Sequence, residues 1–171
     1  QLFTQNNINF QWQVEAPYIE KDHSYELQQS HFCYSENGDY DFNYLQKSDD
    51  KKFKNKVDWI SVKQQFFLSA LIPKNKFQSV DTKWNVQESD DTTQQFLTRV
   101  TSNMQCSLQN NGNGKESTLP FQLYYGPSDY NILKKYNSNL EKIVPYGSGI
   151  FSFVKYINRH LLLPVFDVLK D

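Results

Sequence analysis

Three histidines, two cysteines and two adjacent carboxylate pairs are the side chains here that could do chemistry. His23, His31 and His160 lie far apart and form no HExxH motif or Cys/His cluster of the kind that grips a metal. Cys33 and Cys106 have no CxxC partner and no metal-ligand spacing. No GxSxG elbow, phosphate-binding loop or glycine-rich dinucleotide turn occurs. Asp49-Asp50 and Asp90-Asp91 suggest acid/base work, but that needs one carboxyl lifted by burial, and both pairs stand in polar, turn-like surroundings. The expectation is no catalytic residue, no metal site and no cofactor. His31 falls in a strand-like stretch and reads as structural, and the cysteines as buried free thiols, with a disulfide left open. Trp12, Trp59, Trp84, Tyr124 and Tyr125 could floor a sugar cleft. Trp12 and Tyr125, however, alternate in phase with apolar neighbours, which points to core packing.

What positions these residues is legible in the bulk numbers. The chain has 171 residues, enough for one domain with a substantial core. Aromatics make up 16% of it, mostly Tyr and Phe, which favours strands. A net charge of −1 argues against a nucleic-acid partner, whose phosphates demand a basic excess. The run "LLLPVF" (161–166) falls far short of the ~20 apolar residues of a membrane span. The chain opens on Gln1 without a signal peptide, so it reads as a piece of something longer.

The first two-thirds reads as β. "INFQWQV" alternates Ile8, Phe10, Trp12 and Val14 against polar residues. "SYELQQSHFCYSENGDYDFNYL" reads as a hairpin turning at Asn37-Gly38. "VDWISVKQQFFLSALIP" and "FQSVDTKWNV" are further strand regions, and "KSDDKKFKNKVD" is a solvated loop or hairpin tip. A second hairpin sets Phe96, Thr98, Val100, Met104, Cys106 and Leu108 on one face. It turns over Asn111–Gly114 and returns through Leu119, Phe121, Leu123 and Tyr125. Many short strands indicate a sandwich.

Helical signals follow. Ser128 is read as an N-cap, with Asp129 in the first turn and Lys134 and Lys135 in the last. In "SGIFSFVKYINRHLLLPVFDVLKD", Ile150, Val154, Ile157, Leu161, Val165 and Val168 fall on one helical stripe, and Pro164 opens a second short helix. With Lys155, Arg159, His160 and Lys170 beside it, this segment can cap the core or lie in a membrane interface.

Three stretches in order resemble the large periplasmic domain of the YidC/Oxa family of membrane protein insertases. "WISVKQQFFLSALIP" is similar to the family signature at Trp59, Gln65, Phe66, Phe67 and Pro73. "YYGPSDYNILKKYNSNLEKIVPYG" carries its Gly126-Pro127 turn and closing Tyr146-Gly147. "LLLPVFDVLK" is similar to the segment that runs into the next transmembrane helix. The resemblance implies a mainly β fold, a galactose mutarotase-like β-supersandwich over residues 1–147 that lacks some N-terminal strands. Residues 148–171 would follow as a membrane-proximal amphipathic segment. It implies a location on the periplasmic side of the bacterial inner membrane. The implied role is a non-catalytic scaffold in membrane protein insertion, partnered by its own transmembrane part, the lipid surface, nascent membrane proteins and Sec translocon accessory subunits. The membrane- or partner-facing residues would be Phe151, Val154, Ile157, Leu161, Pro164, Val165 and Leu169. A mutarotase-like sandwich that binds or acts on carbohydrate is the alternative.

Overall fold

A computed structural model describes residues 7–17, 19, 21–86, 96–110, 117–144 and 164–166. The chain falls into two compact units, Gln1–Ser128 and Asp129–Asp171. The first is a β-sandwich. One antiparallel sheet has four strands in the order β1 (Asn7–Pro17), β8 (Phe96–Ser107), β7 (Ser79–Val86) and β4 (Asp49–Lys52). The other has five, in the order β11 (Phe121–Pro127), β6 (Phe67–Pro73), β5 (Val57–Gln64), β2 (His31–Glu36) and β3 (Asp39–Tyr44). A small ribbon pairs β9 (Gln109–Asn110) with β10 (Ser117–Thr118).

Alternation decides which side chains enter the space between the sheets. Val80, Thr82 and Trp84 of β7 are buried between exposed neighbours, as a strand with one solvated face requires. From β8, Val100, Ser102, Met104 and Cys106 are buried, and from the five-stranded sheet Phe32, Tyr34, Ile60, Val62 and Leu71 meet them in one core. Phe32 stacks on Trp84 at 5.9 Å, and the indole Nε1–H donates to the Lys47 carbonyl at 2.9 Å. Within the layer, Thr82 and Ser102 satisfy each other through a 2.9 Å hydroxyl–hydroxyl bond. The five-stranded sheet is buried on its other face too, where Cys33, Trp59, Ser61, Leu68 and Ala70 lie. β5 is accordingly buried along almost its whole length, Ser61 and Lys63 included.

The Asn37-Gly38 turn forms as expected, with both residues at positive φ, 54° and 91°. Gly38 N–H donates to Asp58 Oδ2 at 2.6 Å, and Ser35 and Lys76 also reach that carboxylate, at 2.9 and 2.8 Å. Burial alone would raise the pKa of Asp58, but the bonds from Lys76, Gly38 and Ser35 outweigh it and hold the carboxyl below its usual range.

Several expectations need correction. The expected second hairpin does not pair its two arms: β8 belongs to the four-stranded sheet and β11 pairs with β6 in the other. The start of the "SYELQQ" hairpin is a helix, α1 (His23–Gln28), because Asp22 caps it by accepting from Tyr25 N–H at 3.0 Å. The region "VDWISVKQQFFLSALIP" is not one strand but the hairpin β5–β6, turning at Gln65-Phe66. "KSDDKKFKNKVD" is not only loop: Asp49–Lys52 is the edge strand β4, which needs backbone pairing to β7 and no apolar side chain. Phe53 after it packs edge-on to Tyr34 at 4.8 Å.

The second unit begins with α2 (Tyr130–Lys134), whose cap is Asp129 and not Ser128. Its carboxylate accepts from Asn131 and Ile132 N–H at 2.8 and 3.1 Å. A 3-10 helix (Leu140–Ile143) packs on α2, and Leu133, Leu140 and Ile143 are buried. Residues 164–166 are helical and exposed, so Pro164 and Val165 are described. Phe151, Val154, Ile157, Leu161 and Leu169 lie outside the described residues, as do Tyr146, Gly147, Asp90-Asp91, the Asn111–Gly114 turn and the boundary at 147. No helix among the described residues is long and apolar enough to cross a membrane.

Candidate functional site

The two best-defined sequence motifs meet at one end of the five-stranded sheet. Gln65 and Phe66 form the β5–β6 turn, and Phe67 pairs with Pro127 across β6 and β11. Ser128 N–H donates to the Phe66 carbonyl at 2.6 Å, so the Gly-Pro turn is clamped to the hairpin tip. The Tyr124 hydroxyl folds back over Gly126 to donate to the Pro127 carbonyl at 2.6 Å. A Cβ on Gly126 would stand 2.8 Å from that hydroxyl, which explains why glycine occupies the position. Trp59 and Pro73 of the same motif lie elsewhere: Trp59 is fully buried in β5, and Pro73 closes β6 at the opposite end, paired with Phe121.

Beside the clamp is a cavity of about 400 Å³, lined by Val14, Ile19, Val62, Phe67 and Tyr125 among others. Its rim is apolar and wet: Ile19, Phe67 and Tyr125 are exposed, and so is Phe66 at the neighbouring turn. Tyr125 was expected in the core and is 81% exposed. Leu123 and Phe121, in phase with it, are 60% and 53% exposed, although their strand neighbours Leu71 and Pro73 share their face. Alternation correctly reports that they share a face, and β11 is the sheet's edge, where that face is uncovered. Ile19 escaped the sequence reading because no periodic pattern contains it.

Among the described residues, the titratable groups that sequence reading singled out lie apart from one another. His31 is partly buried, its ring 4.9 Å from Phe42 and 5.0 Å from Tyr44, and it pairs across strands with Lys63. Burial and then the Lys63 charge lower its pKa to about 4, so the ring is neutral at physiological pH. Lys63 was not singled out in the sequence, although its phase with Trp59 and Ser61 marks it as inward. Burial depresses its own pKa. Burial pushes the Cys33 thiol to about 12 and the Cys106 thiol to about 11, far from the range of a reactive thiolate. Both cysteines are free and buried, as expected, and they lie on different faces: Cys106 in the core between the sheets, Cys33 on the far side of β2. Asp49 and Asp50 are exposed on β4. Among the described residues, no group of three metal-binding side chains assembles.

The rings considered for a sugar cleft are dispersed. Trp84 points into the core, Trp59 lies on the other face of the five-stranded sheet, Tyr124 is buried, Trp12 is half-buried against the core and Tyr125 stands exposed.

A family profile for the YidC periplasmic domain matches residues 3–160, almost the whole chain and both clamped motifs. The chain belongs to this family. It is 33% identical over 131 residues to the membrane protein insertase YidC of Parabacteroides distasonis, covering 72% of this chain and 19% of that protein. It is 29% identical over 178 residues to the insertase YidC of Azobacteroides pseudotrichonymphae, covering 97% and 27%. To that of Bacteroides fragilis it is 25% identical over 170 residues, covering 96% and 26%. The chain thus spans about a quarter of the length of the curated relatives it matches. In this YidC-type domain, residues 65–67 and 126–128 are thus clamped together at one end of the five-stranded sheet.

Proposed function

We propose that this chain is the periplasmic domain of a membrane protein insertase, on the outer side of the bacterial inner membrane. It serves there as a non-catalytic scaffold for the insertion and folding of inner-membrane proteins. The observation that carries the reading is the family match over residues 3–160, supported by relatives that are all named as insertases. Burial keeps His31 neutral and Cys33 and Cys106 as protonated thiols at neutral pH. The segment 148–171 lies against the bilayer and leads to the protein's own transmembrane part, presenting Phe151, Val154, Ile157, Leu161, Pro164, Val165 and Leu169 to lipid. Phe166 and Val165 are exposed apolar side chains, as such a surface requires. Nascent membrane proteins and Sec translocon accessory subunits are the protein partners in this reading.

Flotation with vesicles of phosphatidylethanolamine and phosphatidylglycerol tests it. Residues 1–171 should float, residues 1–147 should stay at the bottom, and Leu161→Asp should weaken flotation while leaving the melting temperature unchanged. Equal flotation of both chains contradicts the lipid-facing segment. So does a large fall in melting temperature for Leu161→Asp, since a buried leucine contributes about 1.5–3 kcal/mol.

A further inference from the structure

We propose that the outward face of the four-stranded sheet binds an extended segment of a client polypeptide, recognised through its main-chain N–H and C=O groups. The proposal deepens the scaffold reading above and rests on it for the presence of client chains.

Alternation sends every second side chain of these strands away from the core, and on this face they are amides, hydroxyls and charges. Register collects them into rows that run across the strands. One row is Gln11, Asn103, Asp81 and Lys52, and the next is Asn9, Gln105 and Ser79. Together the two rows line a groove of about 600 Å³. Phe10, Val80 and Met104, which lie between them in sequence, pack in the core.

The amides hold one another in place. Gln11 Nε2 donates to Asn103 Oδ1 at 2.9 Å, and in the next row the direction reverses, with Gln105 Nε2 donating to Asn9 Oδ1 at 3.1 Å. A primary amide carries two N–H donors and a carbonyl. Each pair therefore keeps a carbonyl, on Gln11 or Gln105, and N–H groups, on Asn103 or Asn9, that the bond within the pair does not use. The rows lie two residues apart along the strands, about 6.8 Å. An extended polypeptide repeats its same-side N–H and C=O groups at that interval, because its residues alternate in the same way. A chain laid along β1 and β8 thus meets a donor and an acceptor at each row.

Other ligands fit this face less well. Its charges are matched: Lys52 to Asp81 at 3.7 Å, Arg99 to Glu15 at 2.7 Å, and Asp50 opposite Lys83. No excess of positive charge is left for a phosphate or an anionic lipid. Phe10, Trp12 and Trp84, the rings of β1 and β7, pack in the core, so a sugar finds none of them to stack on. Recognition through the main chain tolerates any sequence, which suits a scaffold that serves many different inner-membrane proteins.

Fluorescence anisotropy tests the proposal with a labelled, uncharged peptide of alternating glycine and threonine, about ten residues long so that it spans the rows at about 3.4 Å per residue. Residues 1–171 should bind it saturably. A copy N-methylated at alternate residues, which lacks the same-side N–H groups, should bind about tenfold more weakly or worse. Gln11→Ala combined with Asn103→Ala should cost a similar factor. Both side chains are exposed, so the double variant should move the melting temperature by about 2 °C at most. No saturable binding up to about 1 mM peptide overturns the proposal. So does equal binding of the N-methylated copy or by the double variant. Displacement of the peptide by an N-acetylglucosamine oligomer of comparable affinity also overturns it, because the groove is then a sugar site. Flotation of residues 1–171 without peptide binding sinks the groove alone. Peptide binding without flotation sinks the lipid-facing segment and leaves the groove standing.

Discussion

The two flanks of the sandwich use the same strand chemistry and end differently. On the β3–β4 side the interlayer space is plugged by rings: Phe53 against Tyr34 at 4.8 Å, Phe32 on Trp84, and the Lys51 ammonium 4.4 Å over the Tyr34 ring. The Tyr34 hydroxyl then donates to Asp41 of β3 at 2.8 Å, and acids and lysines cover both edges. On the β1–β11 side, comparable rings face water. The difference teaches that exposure of apolar side chains here follows position in the fold. The β3–β4 flank closes its interlayer space with rings and leaves Phe42 and Tyr44 exposed on the outer face of β3, whereas β11 leaves Phe121, Leu123 and Tyr125 exposed on the interlayer side.

Trp84→Ala should break the sealed flank most severely. A fully buried ring that stacks on Phe32 and donates to a backbone carbonyl leaves a large void, and chemical denaturation should show a loss of about 3–5 kcal/mol. Acid should act next. His31 has a folded pKa of about 4 against 6.5 unfolded, so its contribution is fully present above pH 6.5 and is lost as pH falls toward 4, where only the unfolded chain gains a proton. Asp58, depressed below 3.8, adds a further loss at still lower pH as it is protonated. Urea midpoints at pH 7, 5 and 4 check this, and His31→Gln should flatten the first part of the slope.

On the open side, Gly126→Ala sharpens the role of the clamp. The new methyl displaces the Tyr124 hydroxyl from Pro127, costing about 1 kcal/mol, and the cost should shrink when combined with Tyr124→Phe. Additive losses in that cycle would mean that the glycine serves something else. The smallest effect belongs to Lys51→Met, which removes a half-buried cation from two rings and should cost about 0.5–1 kcal/mol in the same denaturation assay.

Much of this was legible from the chain alone, for identifiable reasons. The Asn37-Gly38 turn shows in sequence because only such residues accept its positive φ values. The core faces of β7 and β8 show because the polar face opposite gives clean alternation. α1 was missed because a six-residue helix has too few turns for a 3.6-residue period to appear, leaving Asp22 as the only cue. β4 was missed because an edge strand is held by its ladder to β7, and "DDKK" has no apolar residue to announce it. The candidate site was half visible. Residues 65–67 and 126–127 stood out by resemblance, but their convergence through Ser128 and Phe66 is a matter of register, set by pairing distant in sequence. The exposure of Leu123 and Tyr125 could not be read at all, since alternation tells which side chains share a face and not whether anything covers it.

Amide hydrogen exchange along β11 tests the contrast between the flanks most directly. The β11 amides that do not bond to β6 should exchange at near-unprotected rates, while the amides of β5, which is paired on both sides, should be slowed by about a hundredfold or more. Protection of those β11 amides as strong as that of β5 would contradict the account.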